Sequence, residues 1–227
     1  LGVWVEPEML SPDVAHNYPS NWILKNPHCD AKLARNQLAW DLSNPEVYQH
    51  IFNGLSQMLS DSQCSSIKWD MNRDRYQAMD ESGKPLIRQQ TLMLYRLLEE
   101  IQSKHNVEIE ICSSGGARLD YGVLPYASRF WISDNNDPLD RLSKYLNASL
   151  FFPPEVLGMH IGPERSHTTG RRVSFKEGAQ MALFGDAGFE IDLTDINSEQ
   201  KTYLKTWIPF YTRIRELLPD CNLYRID

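Results

Sequence analysis

Three carboxylates close short apolar runs in this sequence: Glu6 in VWVEPE, Asp70 in IKWDMN and Asp134 in FWISDN. Taken singly, an acid after a strand is more often a helix cap or a loop charge, but recurrence at three strand ends points to acid/base or nucleophilic chemistry. Side chains two apart on a strand share a face, so Lys68, Asp70 and Asn72 align. Ile67, Trp69 and Met71 then form the opposite, packing face. A lysine so placed needs a partner, because burying an unpaired ammonium is costly. Either it forms an ion pair with Asp70 that only stabilises the fold, or it keeps Asp70 ionised as a nucleophile requires. Asp134 follows Phe130, Trp131 and Ile132, and an apolar surround beside an anionic Asp70 would raise its pKa and keep its proton. One charged and one protonated acid is the pairing that breaks glycosidic bonds. Carboxyls about 5–5.5 Å apart give retention through a covalent intermediate, and about 6.5–9.5 Å gives inversion.

Acids so far apart in sequence can meet only if the strands carrying them end on one face. Short apolar runs alternate with longer amphipathic ones, the pattern of βα units around a parallel sheet. Strands are expected at Val3 to Glu6, Ser66 to Met71, Val107 to Cys112, Phe130 to Asp134, roughly Leu157 to Ile161, and near Phe184 to Glu190. A helix follows SNPE at Ser43 to Glu46, whose capping-box spacing and early Pro45 precede Val47, Ile51, Leu55, Met58 and Leu59 on one face. Others run from about Leu86 to Lys104 with Leu94, Leu97, Leu98 and Ile101 inward, near Leu139 to Leu150, and near Phe175 to Leu183. A last one begins after Asn197, where Pro209 is expected to kink or split the segment reaching Leu218. No G-x-G-x-x-G turn follows an early strand, which argues against an open doubly wound sheet. The expected α/β fold is a (β/α)8 TIM-type barrel, typically about 250 residues, of which these 227 residues supply about six βα units. Strand ends in such a barrel converge on the face that carries the active site.

Composition narrows the partners. A net charge of −7 without a basic stripe speaks against nucleic acid, and no apolar run approaches the roughly 20 residues that span a bilayer. Cys29, Cys64, Cys112 and Cys221 lie far apart without CxxC pairs, so they read as reduced thiols and favour a cytoplasmic location. Cys112 with His160 or His167 has no local signature of a Cys/His nucleophile. The two histidines likewise match no compact zinc-ligand spacing, so no metal is expected.

Seven segments resemble the signatures of glycoside hydrolase family 36, the α-galactosidases, in the family's order. They are GVWVEPEM at the start, RNQLAWDLS at Arg35 to Ser43, KWDMNR at Lys68 to Arg73, CSSGGAR at Cys112 to Arg118, SDNND at Ser133 to Asp137, RSHTTGR at Arg165 to Arg171, and FGDAGFEIDL at Phe184 to Leu193. The resemblance implies a (β/α)8 barrel and double displacement, with Asp70 as nucleophile and Asp134 as general acid/base. It implies a galactose pocket using Trp4, Arg35, Lys68, Asn72, Cys112 and Gly115. Trp4 would offer an aromatic wall, Arg35, Lys68 and Asn72 donors to sugar hydroxyls, and Gly115 a close backbone approach.

The same resemblance implies a galactoside such as melibiose or raffinose as substrate, no cofactor, and a homo-oligomer. Residues 1–227 would be one catalytic domain that lacks the family's first barrel strands, its paired aspartates for O4 and O6, and its flanking β-domains, and would have weak activity alone. Asn136, Pro138 and Ala117 depart from the family's usual residues, changes expected to alter acceptor loops. Galactosyl transfer of the raffinose-synthase type and α-N-acetylgalactosaminidase activity stay open. From another class, so does a non-catalytic sugar-binding barrel fragment.

Overall fold

Asn44 and Pro45 begin the first long helix, and the helix returns the chain so that a second strand can lie parallel to the first. A computed structural model describes residues 1–224 and resolves the chain into two compact units, Leu1–Ser128 and one beginning at Arg129. The first unit runs β1 (Gly2–Val5), β2 (Met9–Leu10), α1 (Pro12–Ala15), β3 (Leu38–Ala39), α2 (Pro45–Ser62), β4 (Ser66–Trp69), α3 (Ile87–His105) and β5 (Glu108–Ile111). Strands β1, β4 and β5 are parallel, with Trp4 opposite Lys68 and Lys68 opposite Glu110. The short β2 and β3 pair antiparallel.

The apolar spacing of the two long helices accounts for their docking. Val47, Ile51, Leu55 and Leu59 are buried on α2, and Leu94, Leu97, Leu98 and Ile101 on α3; each fully buried side chain of this kind contributes roughly 1.5–3 kcal/mol. Met58, expected inward, is half-buried. The cap of α2 is Asn44, whose Oδ1 accepts the Glu46 N–H, rather than Ser43, whose hydroxyl donates to Asp41. Gln63 and Asn106 end α2 and α3 in left-handed conformation, a C-terminal stop that asparagine tolerates better than most residues.

The second unit runs β6 (Arg129–Phe130), α4 (Pro138–Ala148), β7 (Gly158–Ile161), α5 (Phe175–Met181), β8 (Asp186–Phe189) and α6 (Ser198–Arg215). Strands β7 and β8 pair in parallel, and β6 bridges to Leu157 in the same sense. Gly158 is required by this approach, since a Cβ there would lie 2.8 Å from the Phe130 carbonyl oxygen. All six expected parallel strands are present, and within neither unit does the sheet close on itself. Two expectations are corrected. The strand expected to reach Asp134 stops at Phe130, because the Ser133 carbonyl and hydroxyl are taken by Arg141 and Lys144. Pro209 does not split α6, whose end comes at Arg215. Pro209 is exposed, and so is Lys205, whose carbonyl the proline leaves without its helical partner.

Candidate active site

Asp70 immediately follows β4, and its N–H still continues the ladder to the Val5 carbonyl at 2.9 Å. With Ile67, Trp69 and Met71 packed on the opposite face, its carboxylate is turned toward a set of neutral donors. Oδ2 accepts from Asn72 Nδ2 at 2.7 Å and Trp4 Nε1 at 3.1 Å, and Oδ1 accepts from the Met71 N–H at 2.8 Å. Burial to 5 % exposure would raise its pKa, but hydrogen bonds from Asn72, Cys112, Trp4 and the Met71 backbone hold it below the usual carboxylate value. The leading stabilisers of the charge are thus these neutral donors, which corrects the expectation that Lys68 supplies it. Lys68 Nζ lies 3.7 Å from Glu110 Oε1 on the next strand.

Cys112 and the two residues after it grip Asp70, Met71 and Asn72 in turn. The Cys112 thiol donates to Asp70, the Ser113 hydroxyl to the Met71 carbonyl at 3.0 Å, and the Ser114 hydroxyl to Asn72 Oδ1 at 3.1 Å. Ser114 and Gly115 turn the chain through left-handed conformations, with φ of 47° and 83°, so Gly115 is needed for the turn. Burial, with the Asp70 charge beside it, pushes the Cys112 thiol up to about 12. It is therefore a neutral donor at neutral pH and no thiolate nucleophile.

Glu6 lies one residue past β1, where Oε1 accepts from Asn72 at 2.6 Å and Oε2 from Gln37 at 3.2 Å. Gln37 closes a two-residue hairpin with Ala34 whose tip is Arg35 and Asn36, at φ of 51° and 59°. Both central residues with positive φ make this a type I′ geometry. Arg35 is exposed there. Trp4, Asp70, Asn72, Cys112 and Gly115 are therefore brought together with Glu6, whereas Arg35 is tied to them only through its turn.

Sequence reasoning missed Glu8. It is 1 % exposed and accepts from Trp69 Nε1 at 2.8 Å and from Arg118 at 2.7 Å, with Arg75 in direct contact. Burial lowers Arg75 to about 9 and Arg118 to about 10, which leaves both cationic at neutral pH. This ionic cluster braces the residues on either side of Asp70, since Arg118 also reaches Met71 Sδ. Two acids in EPEM gave no sign of which faces the core.

In the second unit Asp134 is exposed and accepts from its neighbour Trp131 Nε1 at 2.8 Å. The apolar surround expected from Phe130 and Ile132 is not there, because Phe130 is buried in the sheet and Ile132 points into the core. The loop is braced from α4. Arg141, 1 % exposed, donates to the Ser133 carbonyl at 3.0 Å and to Glu190 at 3.1 Å, and Lys144 holds the Ser133 hydroxyl at 2.8 Å. RSHTTGR supplies the outer clamp: Ser166 donates to Asn136, and Thr169 and Arg171 to Asp137. His160 faces Arg141 through Nδ1 at 2.6 Å. A cleft of about 480 Å³ beside Asn136, His167 and Glu190 and one of about 660 Å³ between α5 and α6 both leave Asp134 outside their linings. Neither of these two clefts marks the acid; the supporting bonds do. Among the described residues no helix is long and apolar enough to cross a membrane, and no group of three His, Cys, Asp or Glu could hold a metal ion.

Comparison with known proteins places the chain among α-galactosidases. An α-galactosidase of Escherichia coli is 38 % identical over 230 residues, covering 100 % of this chain and 32 % of the relative. The crystal structure of GH36 α-galactosidase AgaA from Geobacillus stearothermophilus superposes with a TM-score of 0.87 at 34 % identity, over 96 % of this chain and 31 % of that one. A variant of AgaA in complex with raffinose gives 0.86 at 35 %, with the same coverage. The chain spans about a third of the length of the curated relatives it matches. The melibiase family model matches residues 1–220, a span that takes in the braced aspartate of each unit and the CSSGG and RSHTTGR segments that brace them, and the chain therefore belongs to the melibiase family.

Proposed function

We propose that this chain is the larger part of the catalytic barrel of a retaining α-galactosidase, acting on terminal α-galactose in sugars such as melibiose and raffinose. The observation that carries the reading is Asp70: a carboxylate at a strand end, nearly buried, yet kept ionised by hydrogen bonds from Asn72, Cys112, Trp4 and the Met71 backbone. In the proposed reaction an Asp70 oxygen attacks the anomeric carbon as Asp134 protonates the departing oxygen. Water deprotonated by Asp134 then releases galactose and restores Asp70. Trp4, 53 % exposed as a residue, would wall the sugar, and Lys68, Asn72 and Arg35 would donate to its hydroxyls. Family membership and the raffinose bound by the AgaA variant support the substrate class.

The test is a pair of variants in the full-length protein. Asp70→Gly should lose several orders of magnitude on melibiose and regain activity with azide. Asp134→Gly should keep attack on galactosides with good leaving groups, which need little protonation. Wild-type rates from both variants would overturn the reading, and transfer of galactose to a sugar instead of water would redirect it to the synthase type.

A further inference from the structure

Trp131 has no role in the reaction as written so far, yet its environment is built to aim it. Its indole nitrogen donates to Asp134 Oδ1 at 2.8 Å. Its ring is backed by His160, with centroids 4.2 Å apart, and by the Arg141 guanidinium, 5.3 Å from the ring centroid. Arg141 is itself fixed by Glu190, by His160 and by the Ser133 carbonyl, one residue before Asp134. One buried guanidinium thus holds both the backbone that carries the acid and the ring that faces it.

We propose that Trp131 is a positioning residue for Asp134, whose indole N–H occupies Oδ1 and leaves Oδ2 as the oxygen that carries the proton to the leaving sugar. The inference rests on the galactosidase reading. An indole N–H only donates, so the carboxyl oxygen facing it is the carbonyl oxygen and the hydroxyl is the other. In the first step the Oδ2–H proton moves to the glycosidic oxygen as the C1–O bond breaks and an Asp70 oxygen bonds to C1. In the second, water bonds to C1, its proton goes to Oδ2, and the Asp70–C1 bond breaks. A rotated carboxyl would present the occupied oxygen to the substrate, and misplacement of a catalytic group is expensive in rate.

Trp131→Phe keeps a ring against His160 and Arg141 and removes only the donor. In the full-length protein, kcat/KM reports the first step. It should fall about tenfold to a hundredfold for melibiose, and change less than about twofold for 2,4-dinitrophenyl α-galactoside, whose leaving group needs no proton. Trp131→His, which retains a ring N–H, should show a smaller split between the two substrates and serves if the Phe variant does not fold. Equal losses on both substrates, or no loss on either, would overturn the proposal. Asp134→Gly run in parallel separates the two ideas. If it shows the split and Trp131→Phe does not, only the role of Trp131 falls; if it keeps the wild-type rate on melibiose, the galactosidase reading falls first.

Discussion

The Trp4 indole nitrogen lies 3.1 Å from Oδ2 of Asp70, so an exposed ring and a nearly buried carboxylate are joined across neighbouring parallel strands. The bond makes Trp4 part of what sets the charge on Asp70, in addition to any contact it makes with a sugar. Asn72 shares the same oxygen and is in turn held by Glu6.

Loss of these donors should therefore be visible in pH dependence. Asp70 is held below the usual carboxylate value against its own burial, so it stays ionised into acid. Removing a donor weakens the charged form and raises that value. Trp4→Phe and Asn72→Ala should each move the acid limb of kcat/KM for melibiose to higher pH, with a loss at neutral pH of about tenfold to a hundredfold. A limb that stays in place in both variants would show that something else keeps Asp70 charged.

Cysteine reactivity should follow burial. Cys29 and Cys221 are exposed, whereas Cys112 is buried with its thiol pushed up to about 12. Iodoacetamide at pH 8 should alkylate Cys29 and Cys221 in the native protein and reach Cys112 only after denaturation. Peptide mass mapping reads this directly, and native labelling of Cys112 at the rate of Cys29 would contradict the placement.

The contrast between Asp70 and Arg141 explains what the sequence disclosed. Asp70 was legible because strand alternation fixes its face from its neighbours alone, and the same alternation and helical spacing located all six parallel strands and the long helices. Arg141 was not, because its role depends on Ser133, His160 and Glu190, brought to it from three other segments. Glu8 was hidden for a related reason: an acid is rarely buried, and its two arginines come from positions 67 and 110 residues later in the chain. The setting of Asp134 is not legible from its apolar neighbours in sequence, because Phe130 and Ile132 face the interior and are not its neighbours in space.

Glu8 should be a stability residue first. Glu8→Ala would leave the Arg75 and Arg118 guanidiniums buried without their anion, and removing one member of such a cluster costs about 3–5 kcal/mol. Urea unfolding of Glu8→Ala against wild type measures it, and a loss under about 1 kcal/mol would mean that the cluster is not closed in solution.

Asp137 offers the same kind of test in the second unit, with a pH signature. It caps α4 by accepting the Leu139 and Asp140 N–H groups and takes Thr169 and Arg171 from the RSHTTGR segment. Burial would raise its pKa, but the hydrogen bonds from Thr169 and the cap, with the Arg171 charge, hold it below the usual value. A carboxyl depressed on folding contributes stability above its unfolded pKa of about 3.9, and that contribution is lost as pH falls through the lower folded value. Asp137→Ala should therefore cost roughly 2–4 kcal/mol at pH 7, from a lost cap and lost charged hydrogen bonds. Its deficit relative to wild type should shrink as pH drops below about 4. Arg171→Ala should cost no more than about 1 kcal/mol, because that side chain is 43 % exposed. Thermal melts of the three proteins between pH 3 and 7 check both statements, and a deficit for Asp137→Ala that does not change over that range would rule out the ionised cap as its source.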